Sequence, residues 1–382
     1  MCYNLYTKLN FRGALMYLDI TQKYAEEFDE KCARVDAHGF LRFLTEPNAN
    51  DISILNLIAN VEAITEIKPH HKDIALDTDE TTFINILNDF FSKYLPQKAD
   101  EVNQILNKTH PYFIDREGKT HIRFEKVLSY DKRSSSVGHS GRNTYLEFKV
   151  FLHNNLSDLR ITAHEIAHAL SSHNQQIVKL IRSNSSREEL DKITRSFEKD
   201  CIGEIEGAII ERLFNYYLMQ KGIYTESNIE NYENSEEDSL LCEINLIREE
   251  RDILKELSCP VTKESLEKLV KSLLAKKNYR LLDRIEKMHD NKDRYSSKMF
   301  RYVVAKVVGK KWINNFIRLK SDKQREEMLD NFQQYLDNTH RLDLDSACEY
   351  LLGDDFCSIV EDYITHKLGK KKHIDLSEEK DI

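Results

Sequence analysis

Helix breakers are scarce in this chain of 382 residues, which holds 5 prolines and 11 glycines. Proline interrupts a helix and glycine loosens it, so their rarity argues against a fold of many tight turns and favours long helices. The cysteines (Cys2, Cys32, Cys201, Cys242, Cys259, Cys348, Cys357) are odd in number and scattered, with no CxxC pair. That excludes a cysteine zinc knuckle and leaves a disulfide framework without support. Excess positive charge is missing too. Lys+Arg number 56 against 65 Asp+Glu, a formal net charge of −9, so no general electrostatic case for nucleic acid exists. No apolar run approaches the roughly 18 residues of a membrane span, and no membrane partner is expected. The opening MCYNLYTKLNFRG lacks the charged start and apolar core of a secretory signal, so a cytoplasmic, reducing location is the expectation. What remains, 40% hydrophobic and 32% charged residues, describes a globular chain long enough for two lobes.

Periodicity divides the chain. ALMYLDITQKYAEEF, DISILNLIANVEAI and ETTFINILNDFFSKYL, within residues 14–107, place apolar residues three and four apart, as amphipathic helices do. Between Gly118 and Leu152 the texture changes. THIRFEKVLSY and NTYLEFKVFL alternate apolar and polar residues, the mark of half-buried strands. We expect them to pair as an antiparallel hairpin around the glycine-containing loop DKRSSSVGHSGR. From Ser157 to about Leu368 the pattern is helical again, with NIENYENSEEDS (Asn228–Ser239) expected as an acidic surface loop. The fold class is therefore mainly α with a small antiparallel sheet.

One stretch carries chemistry: ITAHEIAHALSSH, from Ile161 to His173. Residues four apart on a helix differ by about 40° around its axis, so His164 and His168 face the same way one turn apart. Two imidazoles so placed can share one zinc ion, while Glu165, about 100° away, can take a proton from an activated water. Chance alone yields such a pattern in roughly 4% of chains of this composition, so a third ligand has to be found. SFEKDCIGEIEGAIIERLFNYYL offers Glu204, Glu206 and Glu211. Glu204 and Glu211 are two turns apart on one face, and two buried carboxylates there call for a cation. Glu204 as the ligand, with Glu211 orienting a ligand histidine, satisfies that need, although the spacing leaves Glu206 open as an alternative. Hydrolysis also needs donors for a developing oxyanion. Tyr295 and Tyr302, seven apart with His289 upstream, are candidates.

These pieces in this order resemble the thimet oligopeptidase and oligoendopeptidase F group of zinc metallopeptidases, which are HExxH gluzincins. HEIAH is similar to the family's zinc helix, and GEIEGAIIER resembles its downstream helix, which puts the third ligand at Glu204. YSSKMFRY looks like the family's tyrosine pair, with His289 one residue out of register. YDKRSSSVGHSG, with Gly138 and His139, resembles its Gly-His loop over the substrate cleft, and SACEYLLGDDF the segment that closes its catalytic domain. Ala167 and Ser171 depart from the family's glycine and histidine, and the region before residue 120 is shorter than the family's.

The resemblance implies a two-lobed gluzincin fold with the active site in a cleft. An N-terminal helical lobe would cover residues 1–115 and a catalytic region residues 116–382. It implies one Zn2+ per chain, a peptide or protein substrate, and Glu165 as general base and acid. Tyr302, with Tyr295 and His289, would hold the oxyanion, and Tyr145–Leu152 would be the edge strand that pairs with substrate. The alternative is an inactive scaffold of the same fold that binds a protein partner; such proteins commonly lose the base or a ligand, and here all are retained. The acidic end DLSEEKDI resembles the tails of some bacterial effectors delivered into host cells.

Overall fold

ETTFINILNDFFSKY folds as helix α1 (Glu80–Tyr94), burying the face formed by Phe83, Leu87, Phe90, Phe91 and Tyr94. Pro96 ends it by opening a short 3-10 turn (Pro96–Lys98), and helix α2 (Ala99–Leu106) follows. The structure is a computed structural model. It describes residues 80–127, 135–138, 143–153, 155, 157–186, 189–190, 197–236, 239–240, 253, 256–257, 261–279, 281–282, 285, 295–356, 358–359 and 362–363, with backbone alone at 197–200 and 295–300. The expected helices before residue 80 and the acidic end lie outside these residues.

The chain divides into two compact units that interleave along the sequence. One comprises Glu66–Leu240 and Arg301–Tyr363, the other Met1–Thr65, Leu241–Phe300 and Ile364–Ile382. In the second, a reciprocal Thr262–Ser265 capping box starts a helix at Lys263–Ala275. That helix buries Leu266, Leu269, Val270 and Leu273 against Ile253, Leu257, Val261, Leu282 and Ile285.

The first unit is mainly helical. Beyond α2 it contains α3 (Ser157–Leu170), α4 (Ser172–Arg182) and α5 (Phe197–Gln220). Counting the helix Lys263–Ala275 as α6, it continues with α7 (Tyr295–Arg318, from Arg301 on), α8 (Asp322–Asn338) and α9 (Leu344–Leu352). Helix α5 is buried around most of its circumference from Cys201 to Leu218, the mark of a central helix. Phe214 and Tyr217 of α5 meet Phe90 at ring distances of 4.8 and 5.5 Å, and Trp312 of α7 stacks on Phe316 at 5.4 Å. Gly309 of α7 crosses α5 so closely that a Cβ there would stand 3.1 Å from Ala208.

The sheet has three strands in the order β1 (Ile122–Lys126), β3 (Glu147–Leu152), β2 (Ser136–Gly138). It is mixed, which corrects the expected antiparallel hairpin. β1 runs parallel to β3, with Ile122 beside Phe148, and the short β2 runs antiparallel on the other side, with Val137 beside Phe148. Alternation fixes which face of a strand is buried but not its direction. Part of the glycine loop is itself extended and takes the antiparallel place, so β1 falls to the far edge. The Tyr145–Leu152 segment is accordingly not an edge: β3 has neighbours on both sides, and β2 is the edge beyond it.

Helix α3 starts from a reciprocal cap: Asn155 Oδ1 accepts the Asp158 amide at 3.1 Å, and Asp158 Oδ2 accepts the amides of Asn155 and His153 at 3.1 and 2.8 Å. Its far end is pinned by buried Thr339, whose Oγ1 lies 2.9 Å from the Ser171 and Ser172 hydroxyls and accepts the His173 amide at 3.1 Å. NIENYENSEEDS is not a surface loop. Residues 226–236 are helical, started by reciprocal Thr225–Asn228 hydrogen bonds, and Tyr232 is buried. Among the described residues no helix is long and apolar enough to cross a membrane.

Glu101 of α2 ties this frame to α4. It accepts from Lys98 Nζ and Gln175 Nε2, each at 3.1 Å, and lies 3.9 Å from His110 Nε2. Burial alone would raise its carboxyl, but His110, Lys98 and Gln175 outweigh it and hold the pKa at about 2, against an ordinary 4.5. A depressed folded-state value stabilises above the ordinary pKa and ceases to as pH falls through the depressed one. Glu101→Gln should therefore lower the unfolding free energy at pH 7 by about 1–3 kcal/mol. Denaturant melts of parent and variant should converge near pH 2.

Candidate metal centre

Helix α3 lies across α5, and the crossing brings the chemistry of both helices together. His164 and His168 stand one turn apart on α3 with their Nε2 atoms 2.8 Å apart and their rings at 87°. Beneath them Gly207 of α5 makes the approach possible. A Cβ on that residue would lie 2.4–2.7 Å from Cε1, Nδ1 and Nε2 of His164, so the imidazole rests on bare backbone.

The three glutamates of α5 take three different places. Glu204 Oε2 lies 3.8 Å from His164 Nε2, and one ligand atom each from His164, His168 and Glu204 fit within 4.8 Å of one another. Glu211 Oε1 lies 2.8 Å from His164 Nδ1, angled off the axis of a linear N–H···O bond. Glu206, wholly buried, meets His168 Nδ1 at 3.1 Å. Of the two glutamates the spacing left open, Glu204 joins the Nε2 side and Glu206 stands behind His168. Each imidazole thus has a carboxylate at Nδ1 and turns Nε2 toward the other ring and Glu204. A carboxylate at Nδ1 favours the tautomer that leaves Nε2 for a metal.

The electrostatics are those of a site short of positive charge. Burial raises the carboxyl of Glu165 despite His168 and His164 beside it, and burial likewise raises Glu206 despite its contact with His168. Burial pulls the His164 imidazole down, but the Glu211 contact outweighs it and lifts the pKa to about 9. With both Nδ1 atoms facing carboxylates, the short Nε2–Nε2 distance requires one N–H and one lone pair. We assign a proton there, at the point where two lone pairs would converge on a metal.

The remaining expected residues divide. Glu165 is buried, accepts the Val137 amide of β2, and leaves its Oε2 without a hydrogen-bond partner. Tyr302 stands beside the centre, its hydroxyl accepting from Arg301 Nη2 at 3.2 Å, while the same Nη2 lies 3.3 Å from Glu204 Oε1. Gly138 closes β2 opposite Glu147. The side chain of Tyr295 and all of His289 and His139 lie outside the described residues. Comparison of the chain with protein-family models, curated proteins and solved structures gave no match.

Four participants escaped the sequence reading. Arg160 shares the histidine face, four residues before His164, so its spacing was a usable signal. Gly207 follows Glu204 by three and was a second. Tyr232 was hidden by the acidic composition of its segment, and Arg301 by the tyrosine next to it.

The donor set fits a zinc ion. Two nitrogens bound tetrahedrally at about 2.1 Å stand about 3.4 Å apart, so the pair at 2.8 Å needs to open only slightly. Two neutral imidazoles and one carboxylate oxygen are a common zinc set, whereas calcium and magnesium favour oxygen ligands alone. Gly207→Ala tests the cradle. The added methyl should displace the His164 ring and weaken zinc binding at least tenfold in a chelator competition. The metal-free protein should also melt lower, because a methyl 2.4–2.7 Å from the buried ring costs more than alanine's better helix propensity returns.

Proposed function

We propose that the chain is a zinc-dependent metallopeptidase, as its resemblance to the thimet oligopeptidase and oligoendopeptidase F group implies. The reading rests above all on one observation: His164, His168 and Glu204 converge beside Glu165, with each imidazole backed by its own glutamate. A bound zinc ion supplies Lewis acidity, which acidifies water and polarises the scissile carbonyl. The protein's own groups do the rest. Glu165 Oε2 is a buried acceptor with no hydrogen-bond partner beside the two histidines, placed to act as general base and acid. It takes one from the attacking water and delivers it to the leaving amine. Tyr302 and Arg301 place a hydroxyl and a guanidinium 3.2 Å apart beside Glu204, where donors can meet the charge developing on the carbonyl oxygen. The two-lobed gluzincin arrangement, the cleft and a peptide or protein substrate belong to the same proposal.

The Arg301–Glu204 contact favours a second reading, an inactive scaffold in which the guanidinium stands permanently where a metal would neutralise the carboxylate. Zinc separates the two. The purified chain should hold about one zinc ion by elemental analysis and cleave members of a peptide library. Glu165→Gln should keep the metal and lose at least about 100-fold in rate. A chain that stays metal-free after zinc is added back would overturn the metallopeptidase and leave the scaffold.

A further inference from the structure

Glu211 is engaged at both oxygens. Its Oε1 stands 2.8 Å from His164 Nδ1, and its Oε2 accepts the Tyr232 hydroxyl at 2.9 Å. Arg160 lays its guanidinium over the Tyr232 ring at 4.3 Å and brings Nε within 4.0 Å of the same Oε2. Tyr232 arrives on the helical segment 226–236, which supplies no ligand. Glu236, one turn further on, fastens that segment with Arg212 Nη2 at 3.7 Å and Lys306 Nζ at 4.0 Å.

A carboxylate held at one oxygen can still turn about its last bond. A donor on the second oxygen fixes its plane, and with it the direction the first oxygen faces. The imidazole of His164 lies on Gly207 with no side chain beneath it, so its rotation about the ring axis depends on what grips Nδ1. Tyr232 is 6% exposed, and its hydroxyl needs a buried acceptor, which Glu211 provides.

We propose that Tyr232 and Arg160 are positioning residues of the metal centre, clamping Glu211 so that it holds His164 with Nε2 turned toward the metal. The helix 226–236 is then part of the site, delivering a hydroxyl to the group behind a ligand. The inference rests on the metal of the metallopeptidase reading but not on its peptidase activity.

Zinc alone is the probe. The full chain, stripped of metal, is titrated with zinc against a chromophoric chelator, as parent, Tyr232→Phe, Glu211→Gln and the double variant. Tyr232→Phe should weaken zinc about tenfold, the usual effect of losing a partner behind a ligand. The metal-free melting temperature should fall by a few degrees, the cost of one buried hydrogen bond to a carboxylate, and the visible spectrum of the cobalt(II)-loaded variant should shift. In the Glu211→Gln background the same step should cost less than about threefold, because the clamp has nothing left to hold. An unchanged affinity and cobalt spectrum in Tyr232→Phe would overturn the clamp, and so would a full tenfold step without Glu211. Should Glu211→Gln bind too weakly to titrate, the affinity and cobalt spectrum of Tyr232→Phe decide. A parent that binds no zinc would instead sink the metal reading, and the clamp with it.

Discussion

Four glutamates and two histidines share the contact between α3 and α5, and the rest of this unit is arranged to make that burial tolerable. A carboxylate removed from water is costly unless it is paired, hydrogen-bonded or protonated. Each of the four has found an answer. Glu211 has His164 and Tyr232, and Glu204 has Arg301 at one oxygen with His164 facing the other. Glu206 has His168, and Glu165 the Val137 amide. For the last two, burial still outweighs the neighbours and raises the carboxyl.

The closeness of the helices follows from the same need. Imidazoles reach carboxylates on a neighbouring helix only if the backbones approach, and small residues permit it at each point. Ala163, Ala167 and Ala169 are fully buried on α3, Gly207 carries the His164 ring, and Gly309 meets Ala208 where α7 crosses α5. That last crossing belongs to the helix that presents Arg301 to Glu204. Packing and charge are thus one problem: larger residues at these positions would part the charged groups and leave each of them buried without a partner.

What was legible in the sequence follows from what periodicity encodes. The 3.6-residue repeat gave the faces of α1, α3 and α5, hence the common direction of His164 and His168 and the two-turn relation of Glu204 to Glu211. It carries no information about the neighbouring helix. Glu204 was preferred for sharing a face with Glu211, but Glu206, about 160° away by helical geometry, stayed open until α3 was seen to lie across α5 and reach both flanks. The strands were legible as strands because alternation reports burial, but their directions were set by Ser136–Gly138, too short to show any period. Composition misled once. The acidic letters around Tyr232 suggested a loop, although Thr225 and Asn228 spelled a helix cap and Glu233 and Glu236 were destined for Lys310, Arg212 and Lys306.

The division of Glu204 between two partners bears on how such a centre can fold before it is loaded. If the only counter-charge for Glu204 were a metal, the metal-free chain would bury a bare carboxylate, and folding would be tied to metal supply. Arg301 removes that dependence by taking Oε1 while Oε2 stays turned to His164 Nε2. A guanidinium suits this role because it stays charged and donates along a fixed plane, so it can hold one oxygen without covering the other. The proton assigned between the two Nε2 atoms does the same for the histidines. If these residues hold a metal, the cluster without it is a set of groups whose alternative partners are a proton and an arginine, both of which leave the ligand atoms in place.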